Sequence, residues 1–130
     1  MKTSLQRRAL IVESDAHNLV AIMSILTPLG IAYKRNTTGA RVLQQAHSMQ
    51  PELDFILLDM DLPDDNPIRI CWALKSDTKL REVPIIVMGT PDTPLPISVK
   101  NWCAAFITKP LSEKKMTSIL DQLFQAEHSN

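Results

Sequence analysis

Four short apolar runs constrain this chain more than any other feature: Ala9-Leu-Ile-Val12, Phe55-Ile-Leu-Leu58, Ile85-Ile-Val-Met88 and Ala104-Ala-Phe-Ile107. Each has four residues and is rich in branched or aromatic side chains. A run that short, with no polar alternation, reads as a strand buried on both faces, as in a parallel sheet. Ile31-Ala-Tyr-Lys-Arg35 is a fifth candidate. Its charges suit an edge strand, where Lys and Arg discourage pairing with another chain.

Helical spacing fills the intervals. Leu19, Ile22, Met23 and Leu26 follow one helix face, with Asp15 placed to cap it and Gly30 where its C-terminus would fall. Val42, Leu43, Ala46 and Met49 predict a second helix ending before Pro51, and Ile68, Cys71, Trp72 and Leu74 a third. Pro91, Pro94 and Pro96 cannot sit in a helix interior, so any helix before the last strand is short, roughly Ile97 to Trp102. Met116, Ile119, Leu120, Leu123 and Phe124 mark the last helix, with Ser112 as N-cap and Glu113 in the first turn. The result is an α/β chain of five β–α units, a parallel sheet with helices on both faces. A single domain over 1–130 is expected, with an ordered core over about 7–126.

Composition narrows the function classes. A chain of 130 residues buries ~two-thirds of its unfolded surface without staples. Lys and Arg number 14, as do Asp and Glu, so the net charge gives no reason to expect nucleic-acid or membrane partners. No apolar run approaches the ~20 residues that span a bilayer, and Ala9–Val12 is too short for a signal-peptide core. A cytoplasmic location is expected. Cys71 and Cys103 are too few for a disulfide framework and read as small core hydrophobes. His17, His47 and His128 lie far apart, so a zinc site would need the fold to gather them.

In parallel α/β sheets ligands bind outside the carboxyl ends of the strands. There the sequence places Glu13-Ser14-Asp15, Asp59-Met60-Asp61, Gly89-Thr90 and Thr108-Lys109-Pro110. Clustered carboxylates attract a hard cation such as Mg²⁺, and a lysine beside them binds an anion as a point charge. Together they are apparatus for handling a phosphoryl group. No glycine-rich nucleotide loop is present. Each residue alone has a plainer role: Asp59 could cap a turn, Lys109 could be a solvated strand end, and Glu13 and Asp15 could be capping and surface residues. Their joint placement favours a site.

These residues carry a resemblance. Leu10-Ile-Val-Glu-Ser-Asp15, Asp54-Phe-Ile-Leu-Leu-Asp-Met-Asp-Leu-Pro63, Val83-Pro-Ile-Ile-Val-Met88 and Phe106-Ile-Thr-Lys-Pro110 resemble the receiver domains of two-component response regulators. The resemblance implies a flavodoxin-like doubly wound sheet of five strands in order 2-1-3-4-5. It makes Asp59 the phosphoacceptor and Lys109 the lysine that contacts the phosphoryl group. Glu13 and Asp59, the backbone carbonyl of Asp61 and, weakly, Ser14 would hold Mg²⁺. It implies a histidine kinase or phosphotransfer protein as donor in a phosphorelay, and an output protein that the sequence does not name. Such a chain is a phosphoacceptor and not an enzyme, apart from self-phosphorylation and self-dephosphorylation. A cis Lys109–Pro110 peptide is also implied.

The departures from the family pattern bear on mechanism. Ser14 stands where a second acidic residue is usual, so weakened Mg²⁺ binding is expected. The hydroxyl normally found at the end of strand four is absent at Gly89, with Thr90 one residue late. Pro67 replaces the glycine usual after the phosphoacceptor loop. Gly89, Thr90 and Phe106 occupy the switch positions. Phe106 lacks a phenolic hydroxyl, so it is expected inward at all times, and the segment from Gly89 to Trp102 is expected to change little on phosphorylation. Ser14 and Gly89 favour an alternative, a phosphorylation-independent pseudo-receiver that binds proteins. A small flavin-binding electron carrier shares the fold, but Glu13-Ser14-Asp15 is too acidic for its phosphate loop.

Overall fold

The structure is a computed structural model that describes residues 7–124. The elements are β1 (Arg8–Val12), α1 (Ala16–Leu26), β2 (Ala32–Asn36), α2 (Val42–Met49), β3 (Phe55–Asp59), α3 (Pro67–Ser76), β4 (Ile85–Gly89), α4 (Ile97–Trp102), β5 (Ala105–Thr108) and α5 (Glu113–Phe124). All strand pairs are parallel, in the order β2-β1-β3-β4-β5. No helix among the described residues is long and apolar enough to cross a membrane.

The apolar runs divide by alternate residues between two layers, as the period of a strand requires. Leu10, Val12, Ile56, Leu58, Ile85 and Val87 pack with α2, α3 and α4. Ala9, Ile11, Phe55, Leu57, Ile86 and Met88 pack with α1 and α5. Burying each large side chain stabilises by ~1.5–3 kcal/mol. Strands pinned on both faces cannot slip by one residue without exchanging their two sets of side chains. The carboxyl ends of β1, β3, β4 and β5 are therefore fixed relative to one another.

Several boundaries differ from the sequence reading, each for a local reason. β2 begins at Ala32, because the N–H of Ile31 is used by the helix end, bonding Leu26 O at 3.2 Å. The regular helix α1 stops at Leu26, and a further turn runs on to Gly30, whose φ of 76° lets the chain reverse there. Asp15 caps α1 as expected, its carboxylate accepting from Asn18 N at 2.9 Å. Ser112 likewise accepts from Lys115 N at 3.2 Å.

The phase of α3 is a correction. Ile68 and Trp72 are 38% and 57% exposed, and the buried face is Ile70, Cys71 and Leu74. The start is set by Asn66, whose Oδ1 accepts from Ile68 N and Arg69 N, with Pro67 in the first helical turn. That cap turns Ile68 outward, and Trp72, one turn later, follows it. Cys71 is fully buried, but Cys103 is only half-buried at the C-cap of α4. His17 is exposed, His47 bonds Asp77 at 2.8 Å, and His128 lies outside the described residues.

Candidate functional site

Glu13, Asp59 and Lys109 are tied to the sheet through their backbones. Glu13 follows β1, and its N–H bonds Asn36 O at 3.0 Å. Asp59 is the last residue of β3 and pairs with Met88. Lys109 follows β5, and its N–H bonds Gly89 O at 2.8 Å. The ladder therefore runs to the edge of the crevice and aims these side chains into it. The Lys109–Pro110 peptide is cis, as is Gln50–Pro51.

Glu13, Asp59 and Lys109 meet in the crevice. Lys109 Nζ donates to Asp59 Oδ1 at 2.9 Å and stands 3.6 Å from Glu13 Oε1. Asp59 Oδ1 also accepts from Asp61 N at 3.0 Å. Glu13 Oε2 accepts from Asp15 N at 3.1 Å, whereas Glu13 Oε1 is buried without a hydrogen-bond partner. Glu13 is 0% exposed and Asp59 2%.

Burial and the carboxylate of Asp59 raise the Glu13 carboxyl to about 7, against the backbone bond from Asp15 and the charge of Lys109. Burial alone would lower Lys109, but its bond to Asp59 and the charges of Glu13, Asp59 and Asp61 outweigh it and raise the ammonium. The crevice is a buried anion pair held by one cation.

The donor set fits a hard divalent cation. Glu13 and Asp59 supply carboxylates, Glu13 Oε1 lacks a partner, and the backbone carbonyl of Asp61 lies in the same turn. Mg²⁺ needs only one or two carboxylates and keeps several waters. Ser14 is half-buried and brings no charge, and Asp15 is occupied as a helix cap. Among the described residues no three His, Cys, Asp or Glu side chains are grouped to hold a metal.

Thr93 is the residue that sequence reasoning missed. A side chain on Gly89 would place its Cβ 2.8 Å from Thr93 Oγ1 and 2.9 Å from Thr93 Cβ. Thr93 fills the space that Gly89 leaves. Its hydroxyl donates to the Asp61 carboxylate at 3.0 and 3.2 Å and accepts from Thr90 N at 2.8 Å. The bond from Thr93 N to Thr90 O, 3.1 Å, closes a turn with Pro91 and Asp92 at its centre. Pro followed by Asp is a turn signal, and a turn there returns the fourth residue to the first. Thr90 is exposed and Phe106 half-buried, packed against the layer containing α3 and α4. Phe106 faces that layer but stays half-buried, because β5 is an edge strand.

A family model described as response regulator receiver domain matches residues 9–121. The two-component response regulator-like APRR1 of Arabidopsis thaliana is 22% identical over 121 residues, 91% of this chain. The chain spans only 19% of that relative's length. The polar-differentiation response regulator DivK of Brucella ovis is 26% identical over 114 residues, covering 82% of this chain and 86% of DivK. The crystal structure of a response regulator receiver domain protein from Clostridium thermocellum matches with a TM-score of 0.80 at 16% identity. It covers 94% of this chain and 97% of that one, and shows the shared fold.

The buried Glu13 yields a stability prediction. A carboxyl raised in the fold contributes stability that is complete below its unfolded value of 4.5 and is lost as pH rises through about 7. Without divalent cations, Glu13→Gln is expected to stabilise the domain at pH 8 by on the order of 1–3 kcal/mol, and by little at pH 5. Urea unfolding at both pH values measures this. An equal effect at both, or a loss at pH 8, contradicts the assignment.

Proposed function

The chain belongs to the response regulator receiver domain family, and on that footing we propose that Asp59 accepts a phosphoryl group from a histidine kinase or phosphotransfer protein. The observation that carries the proposal is the 2.9 Å contact of Lys109 Nζ with a carboxylate that is 2% exposed, at the carboxyl edge of a parallel sheet. A structural ion pair does not need that edge. A phosphoacceptor does, because the donor must reach it.

Transfer breaks the donor's phosphorus–nitrogen bond and forms a phosphorus–oxygen bond to Asp59. Oδ1 already accepts from Asp61 N and Lys109 Nζ, which leaves Oδ2 as the attacking oxygen. Lys109 holds the carboxylate in place before transfer. Afterwards its ammonium follows the negative charge onto the phosphoryl oxygens. Receiver domains use Mg²⁺ at this position, where Glu13, Asp59 and the Asp61 carbonyl would hold it. When bound, it neutralises charge on the phosphoryl group. The domain is a phosphoacceptor, and its only chemistry is gain and loss of that group.

Thr93 supplies the hydroxyl that Gly89 lacks. Its present acceptor is Asp61, two residues from Asp59. A phosphoryl group on Asp59 offers a competing acceptor in the same turn, so the Thr93 hydroxyl distinguishes the two states. This proposal departs from the expectation of an unresponsive segment after Gly89. A phosphorylation-independent binding module rests on Ser14 and Gly89, and the Thr93 hydroxyl weighs against the second.

Two outcomes test the proposal. Incubation with Mg²⁺ and a small acyl phosphate should add the mass of one phosphoryl group to the wild type and none to Asp59→Asn. An adduct retained in Asp59→Asn, or none in the wild type from either a small donor or a kinase, contradicts it. Separately, Ser14→Asp should tighten Mg²⁺ binding. An added carboxylate ~4 Å from the cation interacts by several kcal/mol at an effective dielectric of 20, most of it offset by desolvation. The expected gain is on the order of tenfold in affinity. A titration showing unchanged or weaker binding would remove the charge argument.

A further inference from the structure

Cys71 and Cys103 are 32 residues apart in sequence, yet their sulfurs lie 3.8 Å apart. Cys71 projects from the buried face of α3, and Cys103 caps the C-terminus of α4. Cys71 is fully buried, while Cys103 is half-buried. Lys75, one helical turn after Cys71, is fixed nearby by bonds from its Nζ to Arg81 O at 3.0 Å and Val83 O at 3.1 Å. A thiol that is only half-buried, a second thiol in contact with it, and a held cation are the parts of a reactive dithiol. We propose that Cys71 and Cys103 form a reversible, peroxide-oxidised disulfide, with Cys103 the attacking sulfur and Cys71 the resolving one.

The division of roles follows from burial and charge. The hydrogen bond from Cys71 lowers the Cys103 thiol, burial opposes this, and Lys75 adds to the lowering. The bond to Cys103 and burial together raise Cys71. The thiolate is the nucleophile, so Cys103 reacts first. Its sulfur attacks one oxygen of hydrogen peroxide, the oxygen–oxygen bond breaks, and the products are a sulfenic acid on Cys103 and hydroxide. Cys71 loses its proton and attacks that sulfur, expelling the second oxygen, also as hydroxide. Each hydroxide takes up one of the two thiol protons. Two thiols and one peroxide give one disulfide and two waters, the two electrons passing from the sulfurs to the peroxide oxygens.

A disulfide requires the sulfurs to approach from 3.8 Å to ~2.05 Å. The bond would clamp α3 to the junction between α4 and β5. In a reducing compartment such a bond is transient and redox-sensing, not structural. The proposal does not depend on phosphorylation of Asp59.

The test uses the full chain, reduced, exchanged into buffer without reductant, and treated with hydrogen peroxide. The wild type should lose both alkylatable thiols and two hydrogen masses while remaining monomeric, and dithiothreitol should restore both. Cys71→Ser should stop at a sulfenic acid on Cys103 that dimedone traps, with Cys71→Ala as the variant that buries no hydroxyl. Cys103→Ser should slow loss of the remaining thiol by on the order of tenfold, since Cys71 alone is buried and protonated. Two thiols persisting in the wild type, oxygen added without thiol pairing, or covalent dimers would each overturn the proposal.

Discussion

Lys109 is the cation on which the crevice depends. Without it, the carboxylates of Glu13 and Asp59 would face one another almost entirely removed from water. The cost of burying an ion exceeds several kcal/mol unless an opposite charge and hydrogen bonds offset it. Lys109 Nζ, at 2.9 and 3.6 Å from the two carboxylates, supplies that offset. It does so incompletely, because one charge cannot neutralise two. The residual strain is visible in Glu13, whose carboxyl is raised to about 7 and whose Oε1 has no donor. A crevice with one anionic charge in excess is prepared for a cation and for chemistry that redistributes charge.

The rest of the fold keeps this arrangement from relaxing. A surface ion pair would swing apart and be solvated. Here each partner's backbone is locked into a parallel ladder whose strands are apolar on both faces. The two layers beneath hold the strand ends, and the strand ends hold the charges. Thr93 extends the arrangement outward, joining Asp61 of the loop after β3 to Thr90 of the loop after β4 through one hydroxyl. The turn at Pro91 brings the chain back, so that the Thr93 hydroxyl lies 2.8 Å from where a Cβ on Gly89 would stand.

The strands, their parallel class and the three charged residues were legible because each depends on local sequence. An apolar run of four residues followed by Asp or Glu announces both a buried strand and the polar residue at its end, whereas the run before Thr-Lys, read as buried on both faces, is the half-buried edge strand β5. The sheet order came only with the resemblance, since periodicity says nothing of which strand lies beside which. What was illegible depends on contacts or on caps. The inward face of α3 is set by Asn66, and the apolar spacing of Ile68 and Trp72 pointed to the wrong side. The contact of Cys71 with Cys103 joins elements distant in sequence, which no spacing rule reveals. Thr93 was illegible for a similar reason: its place depends on the turn at Pro91 and Asp92 and on the room that Gly89 leaves for it.

On the reading proposed above, the state of Asp59 is sensed through the hydroxyl of Thr93. Amide NMR of the Mg²⁺-loaded domain, with and without beryllofluoride as the phosphoryl mimic, tests it in wild type and Thr93→Val. Shifts are expected in the wild type at Asp61 and across residues 89–93. In Thr93→Val those shifts should be lost, while the signals of Asp59 and Lys109 still respond to the mimic. Equal shifts in both proteins across residues 89–93, or none there in the wild type, would contradict it.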